Sequence, residues 1–229
     1  MRVITVSGPP SSGKTAVIIK TIENLKKDYK IGVAKFDCLY TNDDEIYKKT
    51  GVEVIVGLSG NLCPDHFYIS NIEECLKWGG KKNIDFLIIE SAGLCNRCSP
   101  HIKECLAVCV IDNLSGINTP KKIGPMLRYA DIVVVTKGDI VSQAEREVFS
   151  YKVKQASPRA NIIFINGITG QGSFDLGVFF KESQPLIDGF KGKRLRFTMP
   201  AALCSYCLGE TRIGEEFQKG NVKKMNIEV

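Results

Sequence analysis

The sequence predicts a three-layer α/β fold built on a mainly parallel sheet, and three observations predict it. Apolar runs rich in β-branched residues alternate with helix-like segments along most of the 229 residues. These runs lack strict polar alternation, as expected of strands buried on both faces. The first run, Val3 to Val6, leads straight into Gly8-Pro-Pro-Ser-Ser-Gly-Lys-Thr15 and then into a helical stretch. That is the strand–loop–helix setting of a phosphate-binding loop.

In chain order, strands are predicted over 3–6, 31–36, 52–56, 85–90, 106–112, 132–136 and 161–165. Helices are predicted near 16–27, 43–49, 69–77, 121–129, 142–155 and 174–181. The β–α–β–α order places ligands at the carboxyl ends of the strands. The pattern ends near Lys181, which gives a phosphate-loop NTPase domain over 1–188. A linker and tail over 189–229 follow, opening on Gly189 and Gly192 and carrying Cys204-Ser-Tyr-Cys207.

A hydrophobic content of 44% is enough for one sizeable core. Part of the net charge of +6 lies in Lys191, Lys193, Arg194, Arg196, Lys219, Lys223 and Lys224, which read as a solvated basic linker and tail. Interleaved aromatics or a recognised nucleic-acid module do not accompany them, so no nucleic-acid partner is expected. With no signal peptide and no apolar run of bilayer length, a cytoplasmic protein without membrane insertion is expected. In that compartment nine cysteines read as metal, iron–sulfur or redox chemistry before structural bridges.

The loop residues Gly8, Pro9, Ser11, Ser12 and Gly13, with Lys14, Thr15 and Ala16 opening the helix, are expected to wrap nucleotide phosphates. Lys14 then reaches the β/γ oxygens and the Thr15 hydroxyl holds Mg²⁺. Glu90, at the end of the apolar run from Asp85, is placed to hold the Mg²⁺ shell or a water, and the Gly93 N–H to sense the γ-phosphate. Thr136-Lys137-Gly-Asp139 resembles the [N/T]-K-x-D element with which GTPases read guanine. Asp139 would accept from the ring N–H and exocyclic amine, and the Lys137 stem would lie over the base. Thr136 stands in place of the commoner Asn, so GTP is favoured over ATP without being fixed. The stretch from Asn166 to Gly172 is placed to close over the base.

Both histidines follow a cysteine at the same distance, in Cys63-Pro-Asp-His66 and Cys98-Ser-Pro-His101. Thiolate and imidazole at that spacing can point at one Ni²⁺ or Zn²⁺ ion. Cys95-Asn-Arg-Cys98 follows the Glu90–Gly93 segment at once, where phosphate release would move it. With Cys204 and Cys207, or with a symmetry mate, this pair can build a four-thiolate site for Zn²⁺ or a [4Fe–4S] cluster; a tail disulfide or redox dithiol is the alternative. Cys38, Cys75, Cys105 and Cys109 lie in or beside apolar elements and read as packing residues.

Over roughly Met1 to Lys181 these features resemble the nickel-insertion GTPases of urease and hydrogenase maturation. The resemblance is carried by the phosphate loop, the Asp37…Thr41-Asn-Asp-Asp44 run and Gly60-Asn-Leu-Cys63-Pro64-Asp65-His66. Glu90-Ser-Ala-Gly93, Pro120-Lys-Lys-Ile-Gly-Pro125 and Thr136-Lys-Gly-Asp139 also carry it. It implies a nucleotide-gated homodimer in which Asp37 positions Mg²⁺ or the attacking water. It also implies that Lys121 and Lys122 lie near the dimer face, and that Cys63 and His66 ligate a metal. The inserted Asp65 departs from the family's Cys-Pro-His element and leaves the metal open. The function so implied is a GTP-hydrolysing metallochaperone, with Lys14, Asp37 and Glu90 catalytic, serving a target metalloenzyme. The alternative is a nucleotide-driven electron donor with a [4Fe–4S] cluster bridging the homodimer.

Overall fold

Seven strands form one sheet in which every pairing is parallel, in the order β3-β2-β4-β1-β5-β6-β7. The structure is a computed structural model that describes residues 1–187, 189–197 and 208–227. The strands are β1 (Arg2–Ser7), β2 (Ile31–Asp37), β3 (Glu53–Leu58), β4 (Phe86–Glu90), β5 (Leu106–Asp112), β6 (Ile132–Thr136) and β7 (Asn161–Phe164). The helices are α1 (Lys14–Leu25), α2 (Asp43–Lys49), α3 (Pro64–Lys81), α4 (Thr119–Ile123), α5 (Pro125–Arg128), α6 (Gln143–Ala156) and α7 (Ser173–Glu182).

Alternate strand residues serve opposite layers, which is why the strand sequences are apolar throughout. Ile4, Val6, Val33, Phe86 and Ile88 pack with Val17, Ile18 and Ile22 of α1 and with Leu176 and Phe180 of α7. Their neighbours Val3, Ala34, Leu87 and Ile89 pack with Phe67, Tyr68 and Ile72 of α3. Each Val, Leu, Ile or Phe among them, fully buried, contributes about 1.5–3 kcal/mol. The predicted three-layer fold with its parallel sheet is the fold observed. The strand order reverses at β1, with β4 on one side and β5 on the other. The carboxyl end of β1 is therefore the switch point at which open α/β sheets hold ligands.

Two helices differ from the sequence expectation. α3 begins at Pro64, ahead of the predicted 69, because proline fits the first helical position, where its missing N–H is no loss. Cys63 is thus the N-cap, and Asp65 and His66 lie in the first helical turn rather than in a loop. The predicted helix over 121–129 divides into α4 and α5 at Gly124, because the residue before Pro125 is driven from the helical region.

No helix among the described residues is long and apolar enough to cross a membrane. Residues 189–197 run beside the segment after Cys98. Leu195 bridges Ile102, and the Arg196 N–H donates to the His101 carbonyl. Arg196, expected to be solvated, instead forks onto both Asp131 oxygens at 2.6 and 2.7 Å and donates to the Cys105 carbonyl at 2.6 Å. Residues 208–227 reach α3, where the Asn71 side chain donates to Lys223 O and accepts from the Met225 N–H. Cys204 and Cys207 lie outside the described residues.

His101, read from spacing as a partner of Cys98 for metal, turns inward. It is fully buried, with Nδ1 2.9 Å from Thr5 Oγ1 and Nε2 2.9 Å from the Met126 carbonyl. A carbonyl only accepts, so Nε2 carries the proton and Nδ1 accepts from Thr5. The imidazole ties the loop after Cys98 to β1 and α5. Burial, with Arg196 nearby, pulls its pKa down to about 4. Between that value and the ordinary 6.5 the unfolded chain binds a proton that the folded one refuses. Stability therefore falls as pH falls through this window, by about 3 kcal/mol. Because Asp65 titrates in the same window with the opposite sign, the prediction is a difference: on going from pH 7 to pH 4.5, denaturant unfolding should show the wild type changing less favourably than His101→Gln by about 3 kcal/mol. Equal pH dependence in the two proteins contradicts the assignment.

Candidate functional site

The loop from β1 to α1 wraps its own lysine. Lys14 is buried, and its Nζ donates to the Gly8 and Pro9 carbonyls, each at 3.0 Å. Burial lowers its pKa, against the raising influence of Glu90. Gly8 has φ 143° and Gly93 φ 74°; a Cβ on Gly8 would strike the Val110 carbonyl, and one on Gly93 the Gly8 carbonyl. Only glycine allows this approach. It presses the segment after β4 directly onto the phosphate loop. Ser11 (φ 60°) and Gly13 (φ 93°) complete the turn.

Beside Lys14 lies a charged network on neighbouring strands. Lys35 of β2 is in register with Glu90 of β4, so the two side chains stand on one face. Glu90 has no exposure to solvent. Its Oε1 accepts from Lys35 Nζ at 2.9 Å and from Thr15 Oγ1 at 3.0 Å, and its Oε2 from Tyr47 OH at 2.6 Å. Asp43 Oδ2 accepts from the same two donors, Lys35 Nζ at 2.6 Å and Thr15 Oγ1 at 3.1 Å. Asp37 Oδ2 stands 3.8 Å from Lys35 Nζ, while its Oδ1 accepts from the Cys38 N–H. Burial works to lower the Lys35 pKa, but Glu90 and Asp43 together outweigh it and leave the pKa raised. Burial and then the Glu90 charge push the Tyr47 hydroxyl well above its ordinary value.

Sequence reasoning placed Thr15, Asp37 and Glu90 here and missed Lys35, Asp43 and Tyr47. A lysine inside an otherwise apolar strand, Val33-Ala-Lys35-Phe36, was the available signal. Of the three adjacent acids that open α2, Asp43 faces the loop, whereas Asp44 pairs with Lys48 at 2.8 Å.

The end of β6 closes the loop's other side. Thr136 Oγ1 donates to the Ser12 carbonyl at 2.6 Å, and Lys137 Nζ donates to the Ser11 carbonyl at 2.9 Å. Both residues therefore brace the phosphate loop. Ala16 sits in the first turn of α1. Asp139 lines a cavity of about 370 Å³ with Gly138, Arg146, Asn166, Gln171 and Asp175. A planar ring with polar edges suits such walls.

A second group gathers on the connection from β4 to β5. Ligand atoms of Asp65, Cys95 and Cys98 lie within 4.8 Å of one another. Cys63, at the N-cap of α3, stands beside them: burial, with the Cys95 charge nearby, pushes its thiol up to about 11, and its own charge acts on Cys98. His66 lies outside the trio; its imidazole is buried, and burial lowers its pKa. The Cys98 thiol donates to Cys95, and with the Arg97 N–H and guanidinium this pulls the Cys95 thiol down to about 5, while Cys98 is driven up. Burial, then the Cys95 charge, raises the Asp65 carboxyl to about 7. Its Oδ2 is buried with no hydrogen-bond partner among the described residues. A polar atom left so costs roughly 1–3 kcal/mol. Asp65 was read from sequence as an interruption, but it is the residue that completes this group.

Comparison with known proteins bears on the family and the fold. The uncharacterized protein MJ0120 of Methanocaldococcus jannaschii is 48% identical over 227 residues, covering 99% of this chain and 97% of that protein. The hydrogenase maturation factor HypB of Archaeoglobus fulgidus has a similar structure, with a TM-score of 0.63 at 24% identity over 80% of this chain and 89% of that one. The HypB structure of Helicobacter pylori in complex with nickel gives 0.65 at 21% identity over 82% and 91%. The sequence model of the CobW/HypB/UreG nucleotide-binding domain matches residues 2–164, and the chain belongs to that family of P-loop GTPases.

Proposed function

We propose that this protein is a GTP-hydrolysing metallochaperone. It holds a nickel or zinc ion at the thiols around Cys95 and Cys98 and yields it to a target metalloenzyme at a moment set by the nucleotide. The course of one connection carries the reading. Glu90 ends β4 in the charged network, Gly93 touches the phosphate loop, and Cys95 and Cys98 follow at once in the thiol group. A change at the γ-phosphate thus reaches the thiols through a few residues of backbone. Two thiols with a carboxylate make a borderline donor set suited to Ni²⁺ or Zn²⁺, and the nickel in the H. pylori structure favours nickel. A [4Fe–4S] cluster would need thiols beyond this trio.

The charged network fits a magnesium ion. The Thr15 hydroxyl meets one oxygen each of Asp43 and Glu90, and the same two oxygens hold the Lys35 ammonium, so the carboxylate pair already faces a cation. Thr15, Asp43 and Glu90 would hold Mg²⁺, which neutralises phosphate charge when bound. Lys14 and the loop amides steady the transferring phosphoryl group. Asp37, half-exposed beside the cage, orients water. Asp139 reads guanine from the polar cavity. The exposed apolar side chains Leu39, Tyr40 and Leu94, two before α2 and one between Gly93 and Cys95, support a second copy of the chain as the partner that covers them.

Two measurements test this reading. In anaerobic competition with a chromophoric chelator, Cys95→Ser, Cys98→Ser and Asp65→Asn should each weaken Ni²⁺ or Zn²⁺ binding by about tenfold or more. Wild-type affinity should rise with pH through 7, because Asp65 and Cys98 must release protons to ligate. Unaltered stoichiometry and affinity in both cysteine variants contradicts the metal site. Asp139→Asn should weaken GTP binding roughly 10- to 100-fold and favour xanthosine triphosphate, whose ring carbonyl accepts from the new amide. GTP affinity equal to the wild type's rules Asp139 out as the base reader.

A further inference from the structure

We propose that Lys35 is a resident counter-ion of the Mg²⁺ cage, competing with the metal for Asp43 and Glu90 and thereby setting how much Mg²⁺ the protein needs to bind nucleotide. The inference rests on the nucleotide reading above and concerns a residue that the phosphate-loop motif does not contain. Lys35 is only 4% exposed, and its Nζ lies 2.6 Å from Asp43 Oδ2, 2.9 Å from Glu90 Oε1 and 3.8 Å from Asp37 Oδ2. The two nearer oxygens are the ones that also accept from the Thr15 hydroxyl. One ammonium therefore shares with the Thr15 hydroxyl the same two carboxylate oxygens.

Without such a charge the cage would bury Glu90 and crowd it against Asp43 and Asp37, which is unfavourable in a place shielded from water. Lys35 lets the chain fold with the carboxylates already facing the loop. The same charge opposes a second cation at that point. Lys14 is no substitute, since its Nζ is engaged by the Gly8 and Pro9 carbonyls. Tyr47 holds the far Glu90 oxygen at 2.6 Å, so Glu90 stays oriented when Lys35 lets go. Metal and lysine thus compete for one carboxylate pair.

The test is a Mg²⁺ titration of the binding of a fluorescent, non-hydrolysable GTP analogue to the full chain. Lys35→Gln keeps a hydrogen-bond donor and removes the charge; its half-saturating Mg²⁺ should fall about tenfold or more, as expected for deleting a unit charge a few ångströms from the ion. Lys35→Arg keeps the charge and should remain near the wild type. A half-saturation in Lys35→Gln that is unchanged or raised overturns the proposal. Should that variant fail to unfold cooperatively, the wild type labelled with ¹⁵N-lysine decides. Mg²⁺ with the analogue must shift the Lys35 ammonium signal, and a signal that does not move overturns the proposal. A wild type that binds no analogue at any Mg²⁺ concentration defeats the nucleotide reading and this proposal with it.

Discussion

A carboxylate with no access to water, Glu90, is the constraint around which this molecule is built. An ion in that position is tolerable only if charge and hydrogen bonds replace its lost hydration. They come from three elements at once: Lys35 on the neighbouring strand, Thr15 at the start of α1 and Tyr47 from α2. The parallel register that sets Lys35 opposite Glu90 makes the arrangement a property of the sheet rather than of a mobile loop. The phosphate loop, α2 and the sheet are held to one another through this group.

The same carboxylate is the near anchor of the connection that carries the thiols, and His101 is the far anchor. Glu90 is fixed in the network, Gly93 is wedged on Gly8, and the imidazole is bonded to Thr5 and Met126. Between these fixed points lie Cys95 and Cys98, facing Asp65 and Cys63 at the start of α3. A segment pinned at both ends transmits a displacement at one end with little slack. The two candidate sites therefore share a backbone path, and the tail crosses it where Arg196 meets the His101 carbonyl.

Much of this was legible in the sequence, and the exceptions share a cause. Strands such as Ile132–Thr136 and the loop from Gly8 to Thr15 declare themselves because apolar continuity and motif spacing are local signals. Lys35, Asp43 and Tyr47 do not, because their meaning comes from registers and packing between segments far apart in the chain. The helix predicted from residue 69 left Cys63-Pro-Asp-His66 ahead of it, although proline is natural at a helix start. The later start conceals Asp65, whose position in the first turn of α3 brings it to Cys95. His101 shows the converse: spacing from Cys98 allowed a ligand and left its role open, while burial against Thr5, Ser7 and Met126 makes it a pin.

If the nucleotide governs the thiol site, the two ligands must be thermodynamically linked, and each must change the other's affinity by the same factor. The most direct measurement is the Ni²⁺ or Zn²⁺ affinity of the wild type saturated in turn with GDP and with a non-hydrolysable GTP analogue, both with Mg²⁺ and under anaerobic conditions. The account predicts affinities that differ by about 5-fold or more, a coupling of roughly 1 kcal/mol or above, together with the same factor in nucleotide affinity when metal is added. Equal metal affinity in the two nucleotide states would contradict it.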